Sequence, residues 1–502
     1  MAKSIMVQGT MSNAGKSLLV GGLCRIFAKD GYKAAPFKSQ NMSLNSYITT
    51  RGLEMGRAQV MQAEAAGIEP DARMNPVLLK PTDDTRSQVI VNGKVRGMMS
   101  AQDYYRNKKK LVPEILESYE SLAGEYDIIV LEGAGSPAEI NLNKDDIVNM
   151  GMAKMVKAPV LLVGDIDRGG VFAQLIGTIM LLDPSECSYI KGLVINKFRG
   201  DINILKPGLD MLEKRSGKKV IGVIPYLDID IDEEDSLTER FAKKNVPGDV
   251  DIAVIRLPHI SNFTDFAPFE CLSGVSLRYI GKLPELGNPD IIIIPGTKNT
   301  IGDMLWMREC GLEAKILHCA SCGKIIFGIC GGYQMLGEKI IDKSGVEHTG
   351  ETRGMCLLPA VTRFEGNKTT DRVRGKVTNA GGALSCLNGT SFSGYEIHNG
   401  ISVLTEEKAF TQLTLDGSGA QKPDGTCRGN VYGTYVHGFF DSEAIVRKII
   451  SEVMRRKGLD SSGMHTVNMS SYKQQQYDLL GNAVRKSLDM KRIYEILERG
   501  IK

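Results

Sequence analysis

The sequence predicts an α/β protein built from two doubly wound units. Three observations carry that prediction. Short aliphatic runs alternate with longer amphipathic stretches from residue 5 to about 225, an acidic run then interrupts the pattern, and a second series of the same kind begins near residue 252. Buried aliphatic strands separated by helical segments are the pattern of a parallel sheet covered on both faces. At 502 residues the chain is too long for one ordinary core. The expected units are residues 1–228 and 250–450, joined by an acidic linker at 229–249 and followed by a helical tail at 451–502.

In the first unit strands are expected at 5–8, 34–38, 128–131, 160–165, 193–196 and 220–224, each ending at polar or glycine residues. The run Asp228-Ile229-Asp230-Ile231-Asp232-Glu233-Glu234-Asp235 reads as an exposed linker. In the second unit strands are expected at 252–256, 291–295, 325–329 and 432–437. Between 375 and 425 Gly, Ser and Asn are frequent, and the segment is either loop-heavy or antiparallel. In the tail, Leu480, Val484 and Leu488 recur at four-residue spacing, a helical packing stripe.

Composition narrows the function. The chain is 42% hydrophobic and 24% charged with a net charge of +3, which gives no reason to expect a nucleic-acid partner. Lys108-Lys109-Lys110 reads as a solvated helix start. No apolar stretch is long enough to span a bilayer, and Met1-Ala2-Lys3-Ser4 leads straight into a strand without the pattern of a signal peptide. Ten cysteines without framework spacing fit a reducing cytoplasm, and the pair Cys319 and Cys322 reads as packing.

The run Gly9-Thr10-Met11-Ser12-Asn13-Ala14-Gly15-Lys16-Ser17 follows a strand and opens a helix. Small residues let backbone N–H groups turn toward phosphate oxygens, and the helix start adds its positive end. Lys16 is placed to reach the terminal phosphates and Ser17 to ligate Mg²⁺. Five residues rather than four separate Gly9 from Gly15, so Thr10 stands where the first glycine is expected. Carboxylates at later strand ends supply candidate metal ligands: Glu132 in Leu131-Glu132-Gly133, and Asp165 with Asp167 in Gly164-Asp165-Ile166-Asp167. Polar residues after the second strand (Lys38, Asn41, Ser43, Asn45) are candidates for holding a polyanionic substrate, with a capping role for any one of them left open.

The second candidate centre is the apolar run Ile325-Ile326-Phe327-Gly328-Ile329, stopping at Cys330-Gly331-Gly332-Tyr333-Gln334. A thiol at a strand-to-helix turn made of small residues is how a nucleophile is presented. It needs a base. Of six histidines, His437 is best placed, at the end of Tyr432-Gly433-Thr434-Tyr435-Val436-His437. His259, His318, His348, His398 and His465 read as ordinary structural residues. Oxyanion donors are expected from Gly331 and from Gly296, in the turn Pro295-Gly296-Thr297-Lys298.

Two resemblances join these centres. The long-spaced phosphate loop resembles that of dethiobiotin synthetase-like P-loop proteins, whose ATP typically activates a carboxylate. That resemblance implies nucleotide contacts from Thr10, Asn13, Ala14, Gly15, Lys16 and Ser17, and base recognition by Asn196-Lys197. The order glycine turn, cysteine elbow, histidine strand resembles class I glutamine amidotransferases, which release ammonia from glutamine. Their usual glutamate two residues after the histidine is replaced here by Phe439, so another acid or a carbonyl orients the ring, or the site is a dyad.

Ala35-Pro36-Phe37-Lys38-Ser39-Gln40-Asn41-Met42-Ser43-Leu44-Asn45-Ser46, Gly56-Arg57-Ala58-Gln59, the run from Met74 through Pro81, Asn196-Lys197-Phe198-Arg199-Gly200-Asp201 and Gly394-Tyr395-Glu396-Ile397-His398 together resemble the cobyric acid synthase family over nearly the whole chain. The resemblance implies ATP- and glutamine-dependent amidation of a corrinoid, with Mg²⁺ and no protein-bound organic cofactor. Two other readings stay open at this point: the sister family that amidates the a and c side chains of cobyrinic acid, and a P-loop switch ATPase whose second domain only binds a partner. Oligomeric state is not readable from the sequence.

Overall fold

The structure, a computed structural model, describes residues 2–82, 85–141, 145–231, 248–405, 408–461 and 467–501. The acidic run beyond Ile231 and His465 lie outside the described residues. In the first unit six strands form a parallel sheet: β1 (Lys3–Gly9), β2 (Ala34–Phe37), β3 (Ile128–Glu132), β4 (Val160–Asp165), β5 (Ile190–Phe198) and β6 (Val220–Pro225). Their order is β6-β5-β4-β1-β3-β2. Chain order reverses at β1, so the loops leaving β1, β3 and β4 open into one crevice. The strands are aliphatic on both faces because helices cover both. One covering helix, α1 (Lys16–Lys29), buries Leu19, Val20, Leu23 and Phe27.

Between β2 and β3 the chain builds two small sheets that have no counterpart in the predicted strands. One contains Gln40–Met42, Val77–Pro81, Arg86–Val91 and Lys94–Ser100; the other is the hairpin Ser46–Ile48 with Glu54–Gly56. The helix α2 (Arg57–Ala66) follows that hairpin directly.

The second unit contributes β7 (Val250–Ile255), β8 (Val275–Ile280), β9 (Ile291–Ile294) and β10 (Ile325–Ile329), followed by the elbow helix α3 (Gly331–Leu336). Then come β11 (Ala360–Val377), β12 (Ser391–Leu404), β13 (Ala409–Leu415), β14 (Gln421–Arg428) and β15 (Val431–Thr434). The strands β8-β7-β9-β10-β15 run parallel. The sheet continues through β14, β13 and β11 in antiparallel pairs, with β12 also paired to β11. The region from 375 to 425 is therefore largely antiparallel sheet. The strand expected to run to His437 stops at Thr434, and His437 instead forms an isolated antiparallel bridge with Tyr395.

The helix α4 (Glu443–Arg456) crosses the boundary expected at residue 450 and packs Ile445, Ile449 and Ile450 into the second unit's core. The remaining helices, α5 (Met469–Ser487) and α6 (Met490–Arg499), return to the first unit. Leu480, Val484 and Leu488 are buried there, as their spacing predicts. Gly22 of α1 makes the approach possible, since a Cβ at that position would lie 2.7 Å from Val484 Cγ2. Arg25 Nε donates to Asp478 Oδ1 at 2.8 Å across the same contact. Ile231, the last described residue of the acidic run, is buried against this core rather than exposed. No helix among the described residues is long and apolar enough to cross a membrane.

Candidate active sites

The phosphate loop bridges β1 and α1. Asn13 and Gly15 adopt left-handed backbone angles, φ +60° and +89°. A Cβ on Gly15 would stand 2.0 Å from Asn196 Nδ2, so the turn admits only glycine. Asn196, expected to read the base, also braces the loop by donating to the Ala14 carbonyl at 2.9 Å. Lys16 Nζ donates to the carbonyls of Met11 (3.0 Å) and Gly135 (3.2 Å), folded over the loop it serves. Beside them opens a cavity of about 460 Å³ lined by Asn13, Gly15, Lys16, Ser17, Asn196 and Lys197. Backbone N–H groups at the start of α1 make it an anion site. Its apolar wall includes Leu227 after β6 and Leu480 and Val484 of α5, so the tail stripe serves the pocket as well as the packing. Thr10 Oγ1 donates to Gln174 Oε1 at 3.1 Å.

At the carboxyl end of β3, Glu132 collects a polar shell. Ser17 Oγ and Lys38 Nζ both donate to its Oε1 at 2.8 Å, and Gln62 Nε2 donates to Oε2 at 2.6 Å. The carboxylate is fully buried, and the ammonium beside it compensates the charge. A hydroxyl and a carboxylate oxygen in contact at a phosphate loop are hard donors, suited to a Mg²⁺ that takes its other ligands from phosphates and water. Ser17 and Glu132 fit that ion. Asp165 has other neighbours: Lys197 Nζ lies 3.0 Å from its Oδ2, and its Oδ1 accepts from the Asp167 amide at 2.9 Å. Among the described residues no three His, Cys, Asp or Glu side chains form a metal cluster.

Of the substrate candidates, Lys38 and Asn41 line the same cavity. Ser43 and Asn45 are buried in a tight turn, with the Asn45 amide donating to Ser43 Oγ at 3.1 Å.

The thiol centre is built at the end of β10. Cys330 has φ +50° and ψ −107°, a left-handed conformation that costs a non-glycine residue, at the strand-to-helix turn where the sequence places the elbow. Gly332 is required by space, because a Cβ there would lie 1.9 Å from the Ile294 carbonyl. The Cys330 thiol lies close enough to the His437 imidazole to raise the ring's proton affinity, its Sγ donates to the Ile397 carbonyl at 3.7 Å, and both side chains are buried. The two expected oxyanion residues adjoin this pair. A Cβ on Gly296 would stand 3.1 Å from His437 Cε1, and one on Gly331 would stand 3.0 Å from the Thr297 nitrogen.

The structure supplies the acid absent after His437. His437 Nδ1 lies 2.7 Å from Asp265 Oδ2, and the Gly438 amide donates to Asp265 Oδ1 at 3.2 Å. Burial alone would lower the imidazole's proton affinity. The Asp265 carboxylate, aided by Cys330, outweighs burial and raises the His437 pKa to about 9. Phe439, in the position of the usual glutamate, is core: its ring lies 4.9 Å from that of Phe392 and 5.3 Å from that of Phe327. Sequence reasoning missed Asp265 because it sits 172 residues before its partner, on the short turn Phe263–Phe266. Nothing local in Phe263-Thr264-Asp265-Phe266 ties that carboxylate to a distant histidine.

One segment of the first unit touches both centres. The Ser46 carbonyl accepts from Tyr395 Oη and from Asn262 Nδ2, each at 3.1 Å. Tyr395 stacks on the His437 ring at 5.5 Å and exchanges both backbone hydrogen bonds with it. A few residues further on, Glu54 binds Lys80 of its own unit (2.7 Å) and Lys368 of the other (2.6 Å). In α2, which continues from the same hairpin, Gln59 and Gln62 reach Glu132. Residues 46–62 thus run from the thiol centre to the phosphate loop.

Comparisons with known proteins agree with this layout. Residues 5–238 match a family model described as the CobQ/CobB/MinD/ParA nucleotide binding domain, and residues 251–445 match one described as the CobB/CobQ-like glutamine amidotransferase domain. A cobyric acid synthase of Ruminiclostridium cellulolyticum is 59% identical over 505 residues, covering 100% of this chain and 98% of the relative. One of Lachnoclostridium phytofermentans is 57% identical, covering 100% of each, and one of a Thermoanaerobacter species is 52% identical, covering 99% of each. With both domains matched in order and more than half the residues identical from end to end, the chain belongs to the cobyric acid synthase family.

Proposed function

We propose that the chain is a glutamine-hydrolysing amidoligase that amidates the b, d, e and g carboxylate side chains of adenosylcobyrinic acid a,c-diamide, giving adenosylcobyric acid on the route to cobalamin. The observation that carries this reading is the presence, in one chain, of a Cys330–His437–Asp265 centre and a phosphate loop linked by residues 46–62.

At the thiol centre, Cys330 attacks the amide carbon of glutamine while backbone amides of the Gly296 and Gly331 turns hold the developing oxyanion. His437 protonates the departing ammonia, then takes a proton from the water that hydrolyses the glutamyl thioester. Asp265 acts through His437 and is a positioning residue. At the phosphate loop a corrinoid carboxylate attacks the γ-phosphate of ATP, forming an acyl phosphate with ADP as leaving group. Lys16 neutralises charge on the transferring group. Ser17 and Glu132 are placed to hold Mg²⁺, which when bound offsets phosphate charge. Ammonia then displaces phosphate to leave the amide. It is reactive only while unprotonated, which favours a sheltered passage along the buried contact at residues 46–62. ATP and glutamine as substrates make the cytoplasm the expected compartment.

Incubating the purified protein with the a,c-diamide, glutamine and Mg-ATP tests the proposal by mass spectrometry. Product carrying four new amides supports it, and no change in corrinoid mass removes it. Cobyrinic acid as an alternative substrate separates the sister reaction at the a and c side chains.

A further inference from the structure

The glycine turn after β9 carries a charged residue that the chemistry above leaves unused. Lys298 is only 7% exposed, yet its ammonium makes no hydrogen bond or ion pair with any described residue. It lies in the electrostatic neighbourhood of two carboxylates, Glu54 and Glu347, and of two further ammonium groups, Lys80 and Lys368. Those two lysines already occupy Glu54, one on each oxygen. Three basic groups against two acidic ones leave this buried neighbourhood with an excess of positive charge, an arrangement a protein interior tolerates poorly.

The second carboxylate is held at the start of the helix that follows the glycine turn. Glu347 accepts from the Thr300 amide (3.2 Å), from Thr300 Oγ1 (3.0 Å) and from the Asn399 side chain. Thr300 Oγ1 also contacts Gln334 Oε1 at 3.2 Å, and the Gln334 amide donates to the Cys330 carbonyl at 3.1 Å. A Cβ on Gly331 would lie 2.7 Å from Thr297 Cγ2, so the turn bearing Lys298 packs directly on the elbow. The turn bearing Lys298 and the residues that hold Glu347 therefore both pack against the elbow that carries Cys330.

A molecule whose side-chain amide must reach Cys330 brings both complementary charges with it. Glutamine carries an α-carboxylate and an α-ammonium, separated from its amide carbon by Cβ and Cγ. We propose that Lys298 binds the α-carboxylate of glutamine and Glu347 its α-ammonium, a clamp that sets the amide on Cys330. This rests on the reading of Cys330 as the glutaminase nucleophile. It gives a role to a buried lysine that lies near Lys80 and Lys368, and it gives the site a means of rejecting simple amides.

The test uses the full-length protein and two reagents, read by peptide mass at Cys330. 6-Diazo-5-oxo-L-norleucine has the same charged head as glutamine, whereas iodoacetamide has none. Lys298→Met and Glu347→Gln should each slow labelling by the diazoketone about 10- to 100-fold, the worth of one charge-assisted hydrogen bond, with Lys298→Arg recovering part of the rate. Iodoacetamide should label all forms alike, and ATP binding at the distant phosphate loop reports that the variants are folded. Unchanged diazoketone labelling in both variants overturns the clamp. So does equal slowing with both reagents, which would mean altered thiol reactivity. A raised KM for the corrinoid with ammonium as nitrogen source, and unchanged diazoketone labelling, would assign Lys298 to the other substrate. If the parent protein itself is not labelled at Cys330, the reading of the thiol centre fails rather than the clamp alone.

Discussion

Replacing Asp265 by Asn removes one negative charge from the side of His437 while keeping the shape of the side chain. In the parent the imidazole pKa is raised from 6.5 to about 9 although the ring is almost fully buried. That change corresponds to about 3 kcal/mol of preference for imidazolium. Burial works in the opposite direction, so the anionic partners together contribute more than that figure. Without the carboxylate, the His437 pKa should fall back to 6.5 or below. Its Nδ1–H loses an anionic acceptor, and the ring no longer holds the proton that the departing ammonia must take. Positioned acid–base groups are worth about 100- to 10,000-fold in rate, so glutamate formation from glutamine should fall within that range. The alkaline limb of the parent's profile, near pH 9, should move to lower pH in the variant. Glutamine hydrolysis followed across pH 6 to 10 measures both, with ammonium-driven amidation as the reference for an intact synthetase. Hydrolysis within about threefold of the parent, with the alkaline limb unmoved, would refute the reasoning, because the carboxylate would then be setting neither the charge nor the orientation of the ring.

Four other outcomes follow from the geometry. The raised His437 pKa is also a stability statement: its contribution is complete below pH 6.5, the unfolded value, and is lost as pH rises through about 9. Denaturant midpoints of the parent and Asp265→Asn should therefore converge across that window. Cys330→Ser should abolish glutamine-driven product yet leave turnover with ammonium salts, while Lys16→Ala should stop both, as product mass would record. Lys38→Met leaves the Glu132 carboxylate buried without its cation and should cost about 3–5 kcal/mol in urea unfolding, against well under 1 kcal/mol for removing an exposed lysine. Gly22→Val pushes a side chain into Val484, which also lines the nucleotide cavity, so a loss of about 1–3 kcal/mol should come with weaker ATP binding by calorimetry.

How much of this was legible in the sequence depended on how local each determinant is. The parallel strands of both units announce themselves as aliphatic runs, since burial on both faces removes polar residues from them. The phosphate loop and the cysteine elbow are equally plain, being turns whose chemistry fits within nine and five residues. The antiparallel strands β11–β14 were ambiguous because Thr362, Thr411, Thr426 and Gly375 are buried while Ile401 and Val403 are exposed, which breaks the alternation that marks a half-buried strand. Asp265 and the pairing of Glu54 with Lys368 could not be read at all: each joins residues far apart in the chain, and no spacing encodes such a contact. Asp165 shows a different limit. A strand-end carboxylate has the same local sequence whether it faces a metal or, as here, pairs with Lys197 on the neighbouring strand.

The strand-like segment 432–437 shows the same limit on a smaller scale. Its apolar and small residues continue past Thr434, but the backbone leaves the sheet there, and Gly394 lets the returning chain press against it. A Cβ on Gly394 would lie 2.2 Å from the His437 carbonyl. The histidine is thus set by contact with β12 and with the first unit through Tyr395, and not by the strand that leads to it.

The central claim is that nitrogen freed at Cys330 is delivered to the acyl phosphate made at the phosphate loop. The most direct measurement supplies the protein with amide-¹⁵N glutamine, Mg-ATP and the a,c-diamide in buffer containing excess ¹⁴N ammonium. The mass spectrum of the corrinoid product should then show four new amides, all predominantly ¹⁵N. Product labelled at the isotope ratio of the bulk solution would contradict the account, as would ATP hydrolysis indifferent to glutamine with no change in corrinoid mass.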